Sequence, residues 1–222
     1  MLRAVLFDFD LTLADSTAGA TESANLALRS LGFDDVPAAT VRRTIGLPLP
    51  ESFRILTGSA DPALCEQFTR LFVHRADEVM ADLTEIYPTV PPLLRALREH
   101  RVLIGIVSTK FRYRIHEILR RADLIGLIGA IVGGEDVAIP KPHPDGILTG
   151  LAKLDVGRHS ALYVGDHSVD ALAARAAGVD FAGVLTGSTD RAVFSAHDVD
   201  DVLASVGDLR EHLHARYPET FR

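Results

Sequence analysis

The amino-acid sequence predicts an α/β fold: a mainly parallel sheet covered by helices, with an all-helical segment inserted after the first strand. Three observations support this prediction. Short apolar runs recur along the chain, and several of them end in polar residues. Amphipathic stretches of helical length separate most of these runs, which is typical of parallel sheets with crossover helices. The residue pattern of the stretch 15–85 is typical of helices throughout.

Length and composition set the bounds of this prediction. The chain has 222 residues, 47% of them hydrophobic, which is enough for a full core and a smaller second domain. A net charge of −7 argues against nucleic-acid and anionic-membrane partners. Cys65 is the only cysteine, so no internal disulfide is expected. Neither a signal peptide nor a membrane-spanning run is evident, and a cytoplasmic protein is expected.

The first strand, Ala4 to Phe7, is apolar and runs directly into Asp8 and Asp10. Ligands of open α/β sheets bind outside the carboxyl ends of the strands, so these carboxylates are placed for chemistry. Strand alternation points both the same way, and two adjacent like charges require a cation or a shifted pKa. A divalent metal is the simpler answer, and an exposed turn or helix cap is the alternative.

The segment 15–85 is predicted as a domain of four helices. The first begins at Ser16-Thr17 and ends at Gly32, with alanines and leucines along one stripe. The others are expected over 37–44, 51–56 and 62–83. The remaining residues, 1–14 and 86–222, make up the predicted α/β domain.

After Pro88 the alternation of strands and helices resumes. The tail, 201–214, is predicted as one or two short helices. Strands are predicted at 102–107, 130–132, 161–165 and 180–185, and helices at 91–99, 112–121, 143–154 and 168–177.

Three further stretches carry polar residues of interest. Ser108 and Thr109 close a predicted strand, where hydroxyls and amides suit phosphate oxygens. Lys141 lies between two prolines, which stiffen its backbone. Asp166 and Asp170 follow another strand and a glycine turn. Each stretch has an ordinary alternative, because aspartates often cap helices and lysines are usually solvated.

Lysine usage strengthens the phosphate interpretation. The chain has 20 arginines but only three lysines, Lys110, Lys141 and Lys153. Two of the three lie in the candidate phosphate sites. Since lysine is a compact point charge and arginine a planar fork, a crowded phosphate pocket can discriminate between them.

In this order and at these separations, the four stretches resemble the motifs of the haloacid dehalogenase-like hydrolases, above all their phosphoglycolate phosphatase and pyrophosphatase members. The resemblance covers nearly the whole chain and implies a Rossmann-like core with a helical cap domain over the site. The matching stretches are Asp8-Phe9-Asp10-Leu11-Thr12 for the nucleophile motif, Ser108-Thr109-Lys110 for the phosphate-binding strand end, Lys141 for the motif lysine, and Gly165-Asp166 with Asp170 for the metal motif.

The resemblance implies a Mg²⁺-dependent phosphatase acting on a small phosphorylated metabolite. Asp8 would be the nucleophile that forms an aspartyl phosphate, and Asp10 the general acid and base. The Asp8 carboxylate, the Asp10 carbonyl and Asp166 would hold Mg²⁺, with Asp170 behind them or bound through water. The groups implied to hold the phosphoryl oxygens are Thr12, Ser108, the Thr109 amide and Lys141.

Three positions depart from the family's usual residues. Leu11 replaces the usual glycine, which indicates a turn that tolerates a side chain. Thr109 stands where asparagine is common, and it keeps the amide without the side-chain donor. His167 stands where threonine is frequent. For His167 and His143, a helix-start role and a catalytic role both stay open.

The resemblance also allows the reactions known in the family to be compared with the residues of this chain. Asp10 argues against dehalogenation, the segment 15–85 lacks the lysine of phosphonate-cleaving relatives, and Gly46 lacks the following arginine of sugar-phosphate mutases. Hydrolysis of a phosphoglycolate-like phosphomonoester is therefore expected. The alternatives are an inorganic pyrophosphatase, a sugar-phosphate phosphatase or mutase, and, in another class, a non-catalytic phosphate-binding or partner-binding protein.

Substrate selection is assigned to the helical domain. Arg42 and Arg43 lie just before Gly46, near the loop that in the family faces the substrate. An arginine there would pair with an anionic leaving group, whereas the ordinary alternative is a solvated helix face. A monomer or homodimer is expected.

Overall fold

The structure is a computed structural model that describes residues 1–221. Its contacts divide the chain into two units, one of Met1–Leu13 with Ile86–Arg222 and one of Ala14–Glu85. Within the described part of the chain, no helix combines the length and apolar character needed to cross a bilayer.

In the described residues 1–221, eight strands form two sheets. The strands are Ala4–Phe7 (β1), Ala14–Asp15 (β2), Glu85–Ile86 (β3), Leu103–Val107 (β4), Ala130–Val132 (β5), Ala161–Gly165 (β6), Asp180–Val184 (β7) and Val202–Leu203 (β8). Six of them form one sheet in the order β5-β4-β1-β6-β7-β8, while β2 and β3 pair separately. Every neighbouring pair of the large sheet is parallel, which confirms the predicted α/β class.

Ten α-helices accompany these strands in the part of the chain that the structure describes. They are Thr17–Ser30 (α1), Ala38–Arg42 (α2), Leu49–Thr57 (α3), Pro62–Val79 (α4), Val90–Glu99 (α5), Arg112–Arg121 (α6), Asp145–Leu154 (α7), Ser168–Ala177 (α8), Arg191–Ala196 (α9) and Leu209–Arg216 (α10). Short 3₁₀ turns lie at Ile125–Leu127, Gly134–Asp136, Arg158–Ser160 and Val206–Asp208.

The strand β1 lies at the centre of the large sheet. All four of its residues are buried, as expected for a strand that is covered on both faces. Helices α7 and α8 pack on one face and share an apolar cluster with Leu6 of β1 and Tyr163 of β6. Helices α5 and α6 also contact the sheet, at β4 and β5. The buried sheet is therefore a rigid platform for the residues that follow its strands.

The unit Ala14–Glu85 has an apolar core of its own. Helices α1 to α4 contribute to it, and Phe53 lies at its centre. The Phe53 ring centroid is 5.6 Å from that of Phe33 and 5.2 Å from that of Phe68. Asp61 caps α4 by accepting a hydrogen bond from the Ala63 amide at 2.8 Å. This segment therefore has the local interactions of a self-contained helical unit.

The structure corrects two predictions about helix extent. The fourth helix was expected to reach Leu83 but ends at Val79; the amides of Asp82 and Leu83 both donate to the Val79 carbonyl in the turn that follows. The tail was expected to be purely helical, yet Val202–Leu203 forms the edge strand β8 beside β7. A two-residue strand has too little periodicity to be recognised, since its pairing with a distant strand alone defines it.

Candidate active site

The predicted site residues follow three adjacent strands. Asp8 comes directly after β1, Ser108 after β4 and Asp166 after β6, and these strands are neighbours in the sheet. The Asp8 amide donates a hydrogen bond to the carbonyl of Val164, the penultimate residue of β6, at 2.8 Å. Because the strands are parallel, their carboxyl ends lie at one edge, and the three side chains start from the same place.

Three carboxylates form a buried acidic cluster at this edge. Asp8, Asp166 and Asp170 offer oxygens that all lie within 4.8 Å of one another. All three side chains are buried, Asp170 completely. The cluster brings together residues that are up to 162 positions apart in the sequence only because the sheet aligns β1 with β6.

Burial and mutual repulsion disfavour the ionised forms of these carboxyls. Burial raises the pKa of Asp8 to about 6, against the opposing influence of the Lys141 ammonium. Burial and the neighbouring Asp8 charge raise the pKa of Asp166 well above its usual value. Such a cluster of hard oxygens in a low dielectric is suited to a divalent cation, which would favour the ionised forms.

Lys141 lies inside this cluster. Its ammonium donates to Asp170 Oδ1 at 2.5 Å and lies 3.2 Å from Asp8 Oδ1. The latter approach lacks hydrogen-bonding geometry, and Asp8 Oδ1 is buried without a hydrogen-bond donor. Burial alone would lower the pKa of Lys141, but Asp170 and Asp8 outweigh it and raise the pKa. The ammonium is therefore a fixed positive charge beside the Asp8 carboxylate.

Hydroxyl groups complete the surroundings of the acidic cluster. The nearby Ser108 hydroxyl lowers the pKa of the Asp8 carboxyl, in opposition to burial. The Thr12 hydroxyl donates a hydrogen bond to Asp166 Oδ1 at 2.9 Å. Gly134 lies close to the backbone of Thr109. A Cβ on Gly134 would lie 2.4 Å from the Thr109 carbonyl oxygen, so a larger residue would not fit there without movement.

Asp10 has a partner that the sequence analysis did not assign to it. The Lys110 ammonium lies 3.0 Å from one Asp10 carboxylate oxygen and 3.1 Å from the other. Both side chains are nearly buried, with 5% of Lys110 and 10% of Asp10 exposed. The scarcity of lysine in the sequence was the available signal, because Lys110 is one of only three.

Leu11 is one of the three departures from the family's usual residues, and its conformation and burial show how a leucine fits there. It has a φ of 58°, in the left-handed region that favours glycine, and its side chain is fully buried. This conformation costs an L residue about 1–2 kcal/mol. Burial of the leucyl side chain offsets that cost, because it is worth about 1.5–3 kcal/mol. The turn between Asp10 and Thr12 thus tolerates a side chain, as expected.

The loop after β7 approaches the acidic cluster closely, which the sequence did not indicate. A Cβ on Gly187 would lie 1.8 Å from Asp166 Oδ2, so only glycine fits there without movement. The Thr186 hydroxyl donates to the Leu11 carbonyl at 2.6 Å. This loop therefore packs against both the turn at Leu11 and an acidic residue of the cluster.

The two histidines of interest take helix-start positions. His167 precedes α8, and its Nδ1 accepts a hydrogen bond from the Val169 amide at 3.2 Å. Its own amide donates to Asp170 Oδ2 at 3.0 Å, which completes a reciprocal cap. His143 Nδ1 lies 3.1 Å from Asp145 Oδ1 at the start of α7. His167 is therefore part of a helix cap, and His143 lies beside an acidic residue of the first turn of α7.

In the helical unit, the two candidate arginines differ. The Arg42 guanidinium donates to the Asp15 carboxylate at 3.0 Å and also to the Thr17 hydroxyl. Burial would raise the pKa of Asp15, but hydrogen bonds from Thr17 and the charge of Arg42 lower it overall. Arg43 is exposed, and Gly46 adopts a φ of 94° in the loop that follows. The two arginines thus differ in that Arg42 is paired with Asp15, whereas Arg43 is exposed to solvent.

Comparisons with known proteins agree with this geometry. A family profile described as haloacid dehalogenase-like hydrolase matches residues 5–184. A phosphoglycolate phosphatase from Yersinia pseudotuberculosis is 28% identical over 212 residues, which cover 94% of this chain and 91% of that protein. One from Xanthomonas campestris is 29% identical over 185 residues, covering 83% and 84% of the two chains.

A solved structure extends the comparison to the fold. A haloacid dehalogenase-like hydrolase from Bacteroides fragilis has a TM-score of 0.89 and 39% identity, covering 94% of this chain and 100% of that one. The fold and the site thus define an α/β enzyme whose acidic centre lies at the carboxyl ends of parallel strands. The chain belongs to the haloacid dehalogenase-like hydrolases, and the expected enzyme class, a phosphoric monoester hydrolase, is confirmed.

Proposed function

We propose that this protein is a Mg²⁺-dependent phosphatase that hydrolyses a small, phosphoglycolate-like phosphomonoester through an aspartyl phosphate on Asp8. The observation that carries the proposal is the convergence of a carboxylate, an ammonium and further acidic groups from distant parts of the chain. Lys141 lies 3.2 Å from Asp8, and Asp166 and Asp170 complete the cluster. Phosphoryl transfer needs such a positioned nucleophile with positive charge around it.

The acidic cluster fits Mg²⁺. Hard carboxylate oxygens are the ligands that this cation prefers, and three of them lie within mutual reach. The proposed ligands are the Asp8 carboxylate, the Asp10 carbonyl and Asp166, with Asp170 bound directly or through water. When bound, Mg²⁺ supplies positive charge that neutralises the carboxylates and polarises the phosphoryl group.

The side chains divide the reaction into two displacements. In the first, an Asp8 oxygen bonds to phosphorus while the bond from phosphorus to the leaving oxygen breaks, and Asp10 gives that oxygen a proton. In the second, Asp10 takes a proton from water as the water oxygen attacks phosphorus. The bond to Asp8 then breaks and inorganic phosphate leaves. Ser108, the Thr109 amide and Lys141 are proposed to hold the phosphoryl oxygens, with Thr12 close by.

The substrate class is proposed from the relatives and from the helical unit. The curated relatives are named phosphoglycolate phosphatase. We propose residues 15–85 as the cap domain that selects the substrate, with Arg43 as the residue that pairs with an anionic leaving group. Arg42 is already engaged with Asp15, which favours Arg43 for this role.

The first experiment tests the activity and the substrate class. Wild-type protein is assayed for phosphate release from 2-phosphoglycolate, pyrophosphate, sugar phosphates and p-nitrophenyl phosphate, with Mg²⁺ or with EDTA. We expect Mg²⁺-dependent release, fastest from the phosphoglycolate-like ester. Higher activity on pyrophosphate would favour the pyrophosphatase alternative. Phosphate binding without any turnover would favour a non-catalytic protein.

The second experiment tests the nucleophile. Asp8→Asn preserves the shape of the side chain but removes the attacking carboxylate. We expect it to abolish turnover and the acid-stable phosphoenzyme that intact-protein mass spectrometry detects after acid quenching. Turnover retained by this variant would refute the assignment of Asp8.

The third experiment tests the helical unit. Arg43→Ala is expected to raise the KM for anionic esters and to leave p-nitrophenyl phosphate hydrolysis unchanged. Arg54→Ala is the matched control, because Arg54 is another exposed arginine of this unit. Equal losses of activity on charged and neutral leaving groups would contradict a selective role for Arg43.

A further inference from the structure

Tyr163 is a buried polar residue that the proposed mechanism does not use. It lies in β6, its side chain is fully buried, and it belongs to the apolar cluster shared with α7 and α8. Buried tyrosines direct their hydroxyl to hydrogen-bonding partners. The partners of this hydroxyl lie at the candidate active site.

The Tyr163 hydroxyl connects three parts of that site. It donates to the Val107 carbonyl at 2.9 Å, at the end of β4 and directly before Ser108. It accepts a hydrogen bond from the Lys141 ammonium at 3.2 Å. Asp170 Oδ1 lies 3.1 Å away as a second acceptor for its single proton. The hydroxyl is thus held by backbone on one side and faces the lysine on the other.

Lys141 has three N–H groups and three neighbours around its ammonium. Two are the Asp170 and Asp8 carboxylates, at 2.5 Å and 3.2 Å. A divalent cation in the acidic cluster would draw on the same oxygens and would repel the ammonium. The third neighbour, Tyr163, is a neutral phenol outside the acidic cluster, and its hydroxyl is also bonded to the Val107 carbonyl, which is not among the proposed Mg²⁺ ligands.

We propose that Tyr163 is a positioning residue for Lys141: its hydroxyl keeps the ammonium directed at the phosphoryl group while the carboxylates are engaged elsewhere. This inference rests on the proposed function, because it requires Lys141 to bind a phosphoryl oxygen. Without the hydroxyl, the ammonium is held by carboxylates alone. Phosphate affinity should then fall, while the carboxylates themselves remain in place.

The variant that tests this is Tyr163→Phe, which keeps the ring and removes one oxygen atom. Affinity for inorganic phosphate is measured by calorimetry in saturating Mg²⁺. We expect it to weaken about tenfold, the effect of one buried hydrogen bond. Tyr113→Phe is the control, because Tyr113 lies on α6 with 47% of its surface exposed. The phosphate affinity of this control variant is expected to equal that of the wild type.

A second measurement separates positioning from general damage to the site. Mg²⁺ affinity without phosphate is expected to be the same in Tyr163→Phe and in the wild type. If Mg²⁺ and phosphate affinity fall together, the hydroxyl has only a structural role and the inference is overturned. Unchanged phosphate affinity in Tyr163→Phe overturns it as well.

Three further outcomes also decide between the proposed function and this inference. If Tyr163→Phe does not fold, 3-fluorotyrosine at position 163 keeps the hydroxyl but weakens it as an acceptor. A smaller loss of phosphate affinity is then expected, and no loss would overturn the inference. A wild-type protein that neither binds phosphate nor hydrolyses phosphomonoesters would refute the proposed function. An active wild type with an unaffected Tyr163→Phe variant would refute this inference alone.

Discussion

The pair formed by Lys110 and Asp10 gives a quantitative prediction, because both charges are nearly buried. The ammonium lies 3.0 Å and 3.1 Å from the two carboxylate oxygens, with 5% of Lys110 and 10% of Asp10 exposed. Lys110→Met keeps the length of the side chain and removes its charge. Asp10 is then left as a buried carboxylate without its cation, which costs about 3–5 kcal/mol when one partner of a buried pair is removed.

Two assays measure the loss of stability, urea unfolding and thermal melting. Both are followed by circular dichroism, without added metal. A loss of about 3 kcal/mol corresponds to a melting temperature roughly 6–12 °C lower for a chain of this size. Lys153→Met is the matched control. The Lys153 ammonium donates to the Ile131 carbonyl at 3.1 Å in an exposed setting, and its removal is expected to change stability by less than about 0.5 kcal/mol.

A double variant completes this test. Lys110→Met with Asp10→Asn removes both charges, so it leaves neither group buried and unpaired. We expect it to lose less stability than the two single variants lose together, which is the signature of a direct interaction. If Lys110→Met unfolds at the same urea concentration as Lys153→Met, or if the effects of the two substitutions simply add, the reasoning about this buried pair is wrong.

Three further predictions concern the acidic cluster. Mg²⁺ should stabilise the wild type by about 2.7 kcal/mol at a hundredfold excess over its Kd, and Asp166→Asn should lose most of the resulting rise in melting temperature. Burial raises the pKa of Asp8 from 3.8 to about 6, so the folded chain binds this proton more tightly than the unfolded chain. In EDTA, the stability of the wild type relative to Asp8→Asn should therefore fall as the pH rises through that interval, and a pH-independent difference would contradict the shift. Gly187→Ala places a Cβ 1.8 Å from Asp166 Oδ2 and should weaken Mg²⁺ binding in a calorimetric titration, whereas Gly126→Ala, with open space around it, should not.

The fold class was predictable because the strands are short, apolar and buried on both faces. A short apolar run of this kind can be recognised in the sequence, and β1, β5 and β6 have the predicted bounds. Element ends were less predictable, since the end of α4 at Val79 depends on local turns. The strand β8 could not be found from its own two residues, because a strand of this length exists only through its pairing with β7.

The sequence by itself determined which chemical groups stand at the ends of the strands: Asp8, Ser108 and Asp166 each follow an apolar run that any parallel sheet would bury. Tertiary structure decided which of these groups touch. Lys110 reaches Asp10 across 100 residues, and Tyr163 reaches Lys141 across 22. These contacts depend on strand order and side-chain direction, which local periodicity does not encode. The physical reason is that burial and charge act through space, while a sequence pattern reports only neighbours along the chain.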